Sequence, residues 1–145
     1  GFIADGLKVV RAVRDRYDGE KRNPWNEIEC GSNYARPMSV FALLPIFSGF
    51  QFDVPRRHIG FAPIIDGNFK CMWNLGTGWG DFIKNKNEYK IILADGVLEL
   101  SSITLDNLDT VKTIRADGKA INFSQDHNTI FFENTIIRKK LIIEV

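Results

Sequence analysis

The chain reads as an α+β protein, with two N-terminal helices followed by an antiparallel, β-sandwich-like domain. Three observations carry that reading. Apolar residues near the N-terminus recur at helical spacing, and a second apolar run lies between two prolines. Beyond these, short strand-forming runs alternate with three Asp-Gly pairs. The implied division is 1–54 for the helical part and 55–145 for the β part.

In the first segment Ile3, Leu7, Val10, Val13 and Tyr17 recur at steps of four and three, which gives one apolar stripe. Lys8, Arg11, Arg14 and Asp15 fall mostly off it. Tyr17-Asp18-Gly19 then stops the helix, with Gly19 as a left-handed cap. A loop rich in turn formers follows, from Asn23-Pro24 to Gly31-Ser32-Asn33.

A second helix is expected from about Tyr34 to Phe47. Pro37 suits its first turn, whereas Pro45 lacks a donor and should kink or end it. Met38, Val40, Phe41, Leu43, Leu44, Ile46 and Phe47 make this helix apolar nearly all round, so it calls for neighbours on every side.

Strands are expected near 57–65, 68–73, 78–83, 88–94, 97–105, 110–116, 119–124, 129–133 and 140–145. Asp66-Gly67, Asp95-Gly96 and Asp117-Gly118 read as hairpin turns, because an Asp-Gly pair supplies the positive φ angles of a type I′ loop. In the last strand Leu141 and Ile143 alternate with Ile142 and Glu144, which predicts a strand covered partly on both faces. Gly76-Thr77-Gly78-Trp79-Gly80 lacks the lysine and following helix of a phosphate loop and reads as a tight turn or bulge.

The totals narrow the function. With 145 residues, 44% hydrophobic and 26% charged, the chain suits one core or two small ones. A net charge of +1 argues against nucleic acid, which demands a concentrated excess of Lys and Arg. No apolar run reaches the roughly 18 residues of a membrane span; the longest, Val40 to Phe47, is broken by Pro45. No signal peptide is visible, although a chain opening on Gly1 gives that little weight. Cys30 and Cys71 form no metal or redox spacing, and two unpaired thiols lean toward a reducing compartment, the cytoplasm.

The polar loop is the most informative segment. Between Arg22 and Arg36 it gathers carboxylates, arginines, amides and large rings. That mixture suits a sugar pocket, where hydroxyls need paired donors and acceptors and C–H faces need a ring to lie on. Trp25, Glu27, Asn33, Tyr34 and Arg36 are the candidate substrate-binding residues. Glu27 and Glu29 stand two apart in an extended loop, so they point to opposite sides and make a poor acid/nucleophile pair. Cys30 has no neighbouring His with which to form a nucleophilic system. His58 and His127 are isolated and lack zinc-ligand spacing. Trp73 and Trp79 lie in strand-like surroundings and are expected in the core. No residue is assigned a catalytic role, and neither a metal nor a cofactor is expected.

Asn23-Pro24-Trp25-Asn26-Glu27-Ile28-Glu29-Cys30-Gly31, followed by Tyr34-Ala35-Arg36-Pro37-Met38, resembles glycoside hydrolase family 116, the non-lysosomal glucosylceramidases or bile-acid β-glucosidases and their bacterial relatives. The resemblance continues through Ser48-Gly49-Phe50 and Ile59-Gly60-Phe61-Ala62-Pro63 to Gly76-Thr77-Gly78-Trp79-Gly80, roughly the first 85 residues. It implies an (α/α)₆ toroid joined to a β-sandwich, this chain being the C-terminal end. It also implies a retaining mechanism whose two carboxylates lie upstream of the motif. Glu27 and Arg36 match the glutamate and arginine that hold glucosyl hydroxyls. Asn33 stands where many relatives have histidine, and Pro37 where a small helix former is usual, which points to a divergent bacterial branch.

The implied partners are a β-glucoside or related carbohydrate, the remaining domains of a parent chain, and a second copy where the isolated fragment pairs as a homodimer. Alone, the chain is expected to be inactive. The alternative is a non-catalytic carbohydrate-binding or assembly module on a β-sandwich scaffold, marked by a row of exposed aromatics on one sheet face.

Overall fold

The computed structural model describes residues 2–16 and 41–145. The chain divides into two compact units, Gly1–Leu43 and Leu44–Val145. In the first unit, α1 spans Ile3–Arg14. Its ends suit the helix dipole, with Asp5 in the first turn and Arg11 and Arg14 in the last. Lys8 pairs with Asp5 at 3.1 Å and Arg11 with Asp15 at 2.9 Å, one turn apart on the helix surface. α1 buries none of its residues. The expected glycine cap at Gly19 lies outside the described residues.

Of the second expected helix, only the C-terminal part falls among the described residues, and it is helical. α2 spans only Leu43–Ser48, after a 3₁₀ turn at Phe41 and Ala42. The expected stretch from Tyr34 to residue 40 lies outside the described residues. Pro45 does not end α2, which continues to Ser48. It occupies the third helical position, where no backbone partner exists for an N–H, and its carbonyl accepts from Gly49 at 2.8 Å. Gly49 ends the helix with φ +57, and a Cβ there would meet the Ala62 carbonyl oxygen, so the position admits only glycine.

Eleven strands follow: β1 Gln51–Asp53, β2 His58–Phe61, β3 Phe69–Leu75, β4 Gly78–Asn85, β5 Glu88–Gly96, β6 Leu98–Leu105, β7 Thr113–Ala116, β8 Lys119–Ala120, β9 Phe123–Asp126, β10 Thr129–Ile137 and β11 Lys140–Glu144. They form a five-stranded sheet, β1-β2-β6-β10-β9, and a six-stranded sheet, β3-β4-β5-β11-β7-β8. All pairings are antiparallel except β2 with β6. That exception follows from topology, since β3, β4 and β5 lie in the opposite sheet and the chain returns to β6 in the direction of β2. β1 is a strand the sequence reading did not place. Where one strand is expected at 119–124, the chain instead makes β8 and β9 in different sheets.

The Asp-Gly pairs divide by role. Asp117-Gly118 closes the β7–β8 hairpin with φ 49 and 87, the pattern of a type I′ turn. Asp66-Gly67 and Asp95-Gly96 are not hairpins; each lies where the chain crosses between sheets. Gly96, at φ 85, permits the β5–β6 crossing through Val97 alone, and a Cβ there would meet the Thr77 carbonyl oxygen. The Gly76–Gly80 stretch combines a turn at Gly76-Thr77 with a bulge, since Ala94 is extra between Asp95, opposite Trp79, and Leu93, opposite Gly80.

The core lies between the sheets. Phe61 of β2 stacks on Phe82 of β4 with ring centroids 3.8 Å apart, and Trp73, Ile91, Ile103, Ile130, Leu141 and Ile143 are buried around them. β11 runs through the middle of its sheet, with Leu141 and Ile143 buried and Ile142 and Glu144 partly covered, as the alternation predicted. Trp79 corrects the expectation of a core residue: it is 48% exposed. Its neighbours Gly78 and Gly80 take the inward positions of β4, and Gly80 stands opposite the buried Trp73, so a residue without a side chain leaves room for the indole.

Asp117 also fastens the β10–β11 crossing. Its carboxylate accepts from the backbone N–H groups of Arg138, Lys139 and Lys140 at 2.8, 2.8 and 2.9 Å. Slight burial raises its pKa, but those three donors outweigh that and hold it below the ordinary 3.8. A lowered carboxyl pKa contributes stability that is full above 3.8 and lost as pH falls through the lowered value. Asp117→Asn is therefore expected to cost about 1 kcal/mol at neutral pH, below the usual range for charged bonds because the group is largely solvated. The difference from the parent should close in strong acid. Urea unfolding of both chains at neutral and acid pH measures this; an equal gap at both would refute it.

Candidate functional site

The five substrate-binding candidates, Trp25, Glu27, Asn33, Tyr34 and Arg36, lie outside the described residues, as does Cys30. The described concavity with the richest chemistry is a cleft of about 320 Å³ in the β unit. Its floor is apolar, with Ile59, Leu98 and Leu100 from the five-stranded sheet. Leu75 and Thr77 of the β3–β4 hairpin also line it.

Local sequence builds its rim. Val54-Pro55-Arg56-Arg57 forms a β-turn closed by the Arg57 N–H to the Val54 carbonyl at 3.0 Å, with Pro55 at the position whose φ a proline ring pre-sets. The turn leaves Arg57 in the left-handed region, at φ 52. The fold holds it there: its carbonyl accepts from the N–H groups of Ser101 at 2.8 Å and Ser102 at 3.3 Å. Its side chain reaches Glu99 at 3.0 Å, and Asn134 donates to the same carboxylate at 2.7 Å.

His58 also lines the cleft, and its Nδ1 lies 2.9 Å from Ser102 Oγ. Burial lowers the imidazole pKa below 6.5, partly offset by the nearby Asp53 carboxylate, so the ring is neutral at physiological pH. A serine beside a histidine invites a nucleophilic reading, but the third group is engaged elsewhere. The Asp53 carboxylate accepts from the Arg56 N–H at 3.1 Å and faces the Arg56 side chain at 3.5 Å. His58 and Ser102 are register partners on neighbouring strands, and their bond is a cross-strand tie.

Cys71, the free cysteine among the described residues, is equally unsuited to attack. Burial pushes its thiol up to about 11; the Ser48 hydroxyl partly offsets this and Asp81 adds to it. His127 is exposed and bonds to Asp126 at 2.7 Å. Among the described residues no three His, Cys, Asp or Glu side chains gather closely enough to hold a metal ion. None of their helices is long and apolar enough to cross a membrane.

The sequence reading missed the Arg57–Glu99–Asn134 cluster. Its one local signal is the Pro55 turn; its three members come from segments that only the sheet brings together.

Over the described residues the chain is a two-sheet, largely antiparallel β protein preceded in sequence by helices. No protein-family model matches the chain, and no curated protein matches it either.

Proposed function

We propose that the chain is the C-terminal segment of a retaining β-glucosidase or glucosylceramidase-like glycoside hydrolase. In this reading it supplies Glu27 and Arg36 to the sugar subsite, with Trp25, Asn33 and Tyr34 around them, while the acid and nucleophile come from elsewhere. The observation that carries the reading is the motif from Asn23 to Gly31 with Tyr34 to Met38. Two features lend support. α1 leaves Ile3, Leu7 and Val13 exposed by 40, 44 and 49%, an apolar side suited to packing against further helices. A two-sheet β body follows the helical part, in the order the resemblance implies.

The alternative, a carbohydrate-binding or assembly module, would rest on a row of aromatic rings along one sheet face. Among the described residues Trp79 and Phe131 are exposed on different sheets and Phe52 on the edge strand β1, so no such row forms.

The test uses the intact parent. Glu27→Ala is expected to weaken β-glucoside binding by about 2–3 kcal/mol, as when a hydrogen-bonded charged group is removed from a pocket. Calorimetric titration measures it, and unchanged affinity would reject the assignment. The isolated chain should not hydrolyse an aryl β-glucoside; turnover at enzyme-like rates would overturn the division of roles.

A further inference from the structure

The six-stranded sheet ends on β3, whose outer side pairs with no strand among the described residues. The β3–β4 turn is Gly76-Thr77, so Leu75 and Gly78 form the hydrogen-bonded pair that flanks it. Alternation then turns the backbone groups of Phe69, Cys71, Trp73 and Leu75 toward β4. The N–H and C=O of Lys70, Met72 and Asn74 face the open edge. The opposite side of β4 gives the same answer. The Lys86-Asn87 turn pairs Asn85 with Glu88, which commits the odd-numbered residues of β4 to β5 and leaves the even-numbered ones to β3. Among the described residues, no backbone bond is made by the N–H or C=O of Lys70, Met72 or Asn74 toward any group on that edge.

Edge strands are ordinarily kept short or blocked by proline, a bulge or an unneutralised charge. β1 and β8 are three and two residues long. β3 is seven residues long, contains no proline, and pairs with β4 in unbroken register. Its one charge, Lys70, is paired with Asp81 at 2.9 Å. Beside it, Met72 is 45% exposed. Such an edge is a template for another strand.

We propose that β3 pairs antiparallel with β3 of a second copy of this chain, about a twofold axis through Met72, joining two six-stranded sheets into one. In that register Met72 faces Met72 of the second copy and Lys70 faces Asn74. No like charges oppose each other, and each Lys70 keeps its own Asp81. The open backbone groups of Lys70, Met72 and Asn74 then all find partners across the seam. Any extended strand could meet these backbone groups; what favours a second copy is that the seam is complementary to itself, with half-exposed Met72 against Met72 and each paired Lys70 against a neutral Asn74. A net charge of +1 per chain sets little repulsion against the pairing. This inference does not depend on the glycosidase reading.

The test uses the full chain. Sedimentation equilibrium should show a dimer, and Met72→Pro should halve the mass. Proline is compatible with β3 at this position because the N–H it removes faces the open edge and not β4. In a Cys30→Ser, Cys71→Ala background, Met72→Cys should oxidise to a linked dimer. Facing residues of a hydrogen-bonded antiparallel pair have Cα atoms about 5.5 Å apart, within disulfide reach. Lys70→Cys should not link, since its copies would stand about 14 Å apart along the strands. A dimer that survives Met72→Pro, no link at position 72, or equal linking at position 70 would overturn the proposal. Should Met72→Pro fail to fold, the two cysteine variants decide it alone.

Discussion

Phe82→Ala is expected to destabilise the protein by about 3–5 kcal/mol, the range for removing a large ring from a core. Phe82 is fully buried, lies 3.8 Å from Phe61 across the two sheets with rings nearly parallel, and contacts the Tyr89 ring at 6.4 Å. In register it stands between Cys71 on β3 and Ile91 on β5, so it occupies the middle of the inward face. The sheets meet through this ring, and neither can collapse into the space without breaking its own ladder. Domains of this size are stable by only about 5–15 kcal/mol, so the variant should be at the edge of folding. Phe82→Leu, which keeps most of the volume, should lose roughly 1–2 kcal/mol. Urea unfolding followed by tryptophan fluorescence distinguishes the two. A loss below 1 kcal/mol for the alanine variant would mean that the two sheets do not depend on this contact.

Gly80→Ala should be nearly as damaging although it adds a single methyl group. The Cβ would meet the Ile92 carbonyl oxygen, with the Ile92 carbonyl carbon at 2.9 Å and the Ala94 nitrogen at 3.0 Å. All three are backbone atoms, so no side chain can rotate away. The strands must separate at the bulge where Ala94 is extra, at a cost of about 3 kcal/mol or more. Gly76→Ala, four residues earlier and with nothing within 4 Å of the added carbon, serves as the control and should stay within about 0.5 kcal/mol of the parent. Equal effects at the two glycines would show that the close approach of β4 to β5 is not what position 80 protects.

The two glycines mark how far local sequence reaches. Both belong to one glycine-rich stretch that reads as a turn or bulge, and both elements are there. Which glycine is indispensable depends on the path of β5, whose residues lie further along the chain. Asp117-Gly118 and Asp95-Gly96 repeat the lesson. Each dipeptide announces positive φ, and Gly118 and Gly96 both adopt it, at 87 and 85. One closes a hairpin and the other crosses to the opposite sheet, because strand pairing decides where the turned chain goes. Trp73 and Trp79 were equally plausible core residues by composition. Their opposite fates follow from strand parity, which a one-residue change would have exchanged. Of the candidate sugar-binding residues the motif remains the sole source, since the described residues do not include them.

Taken alone, the order of amino acids determined the class of protein, helical segments before a β body, because apolar periodicity and turn chemistry act between near neighbours. It likewise placed most of the strands and the buried faces of β11. Only the tertiary structure decided that the strands divide into two sheets, that β2 and β6 run parallel, and that Arg57, Glu99 and Asn134 meet. The physical reason is one of range. Backbone preferences are local, whereas sheet membership is settled by which distant strands bury the most apolar surface together while leaving the fewest N–H and C=O groups unpaired.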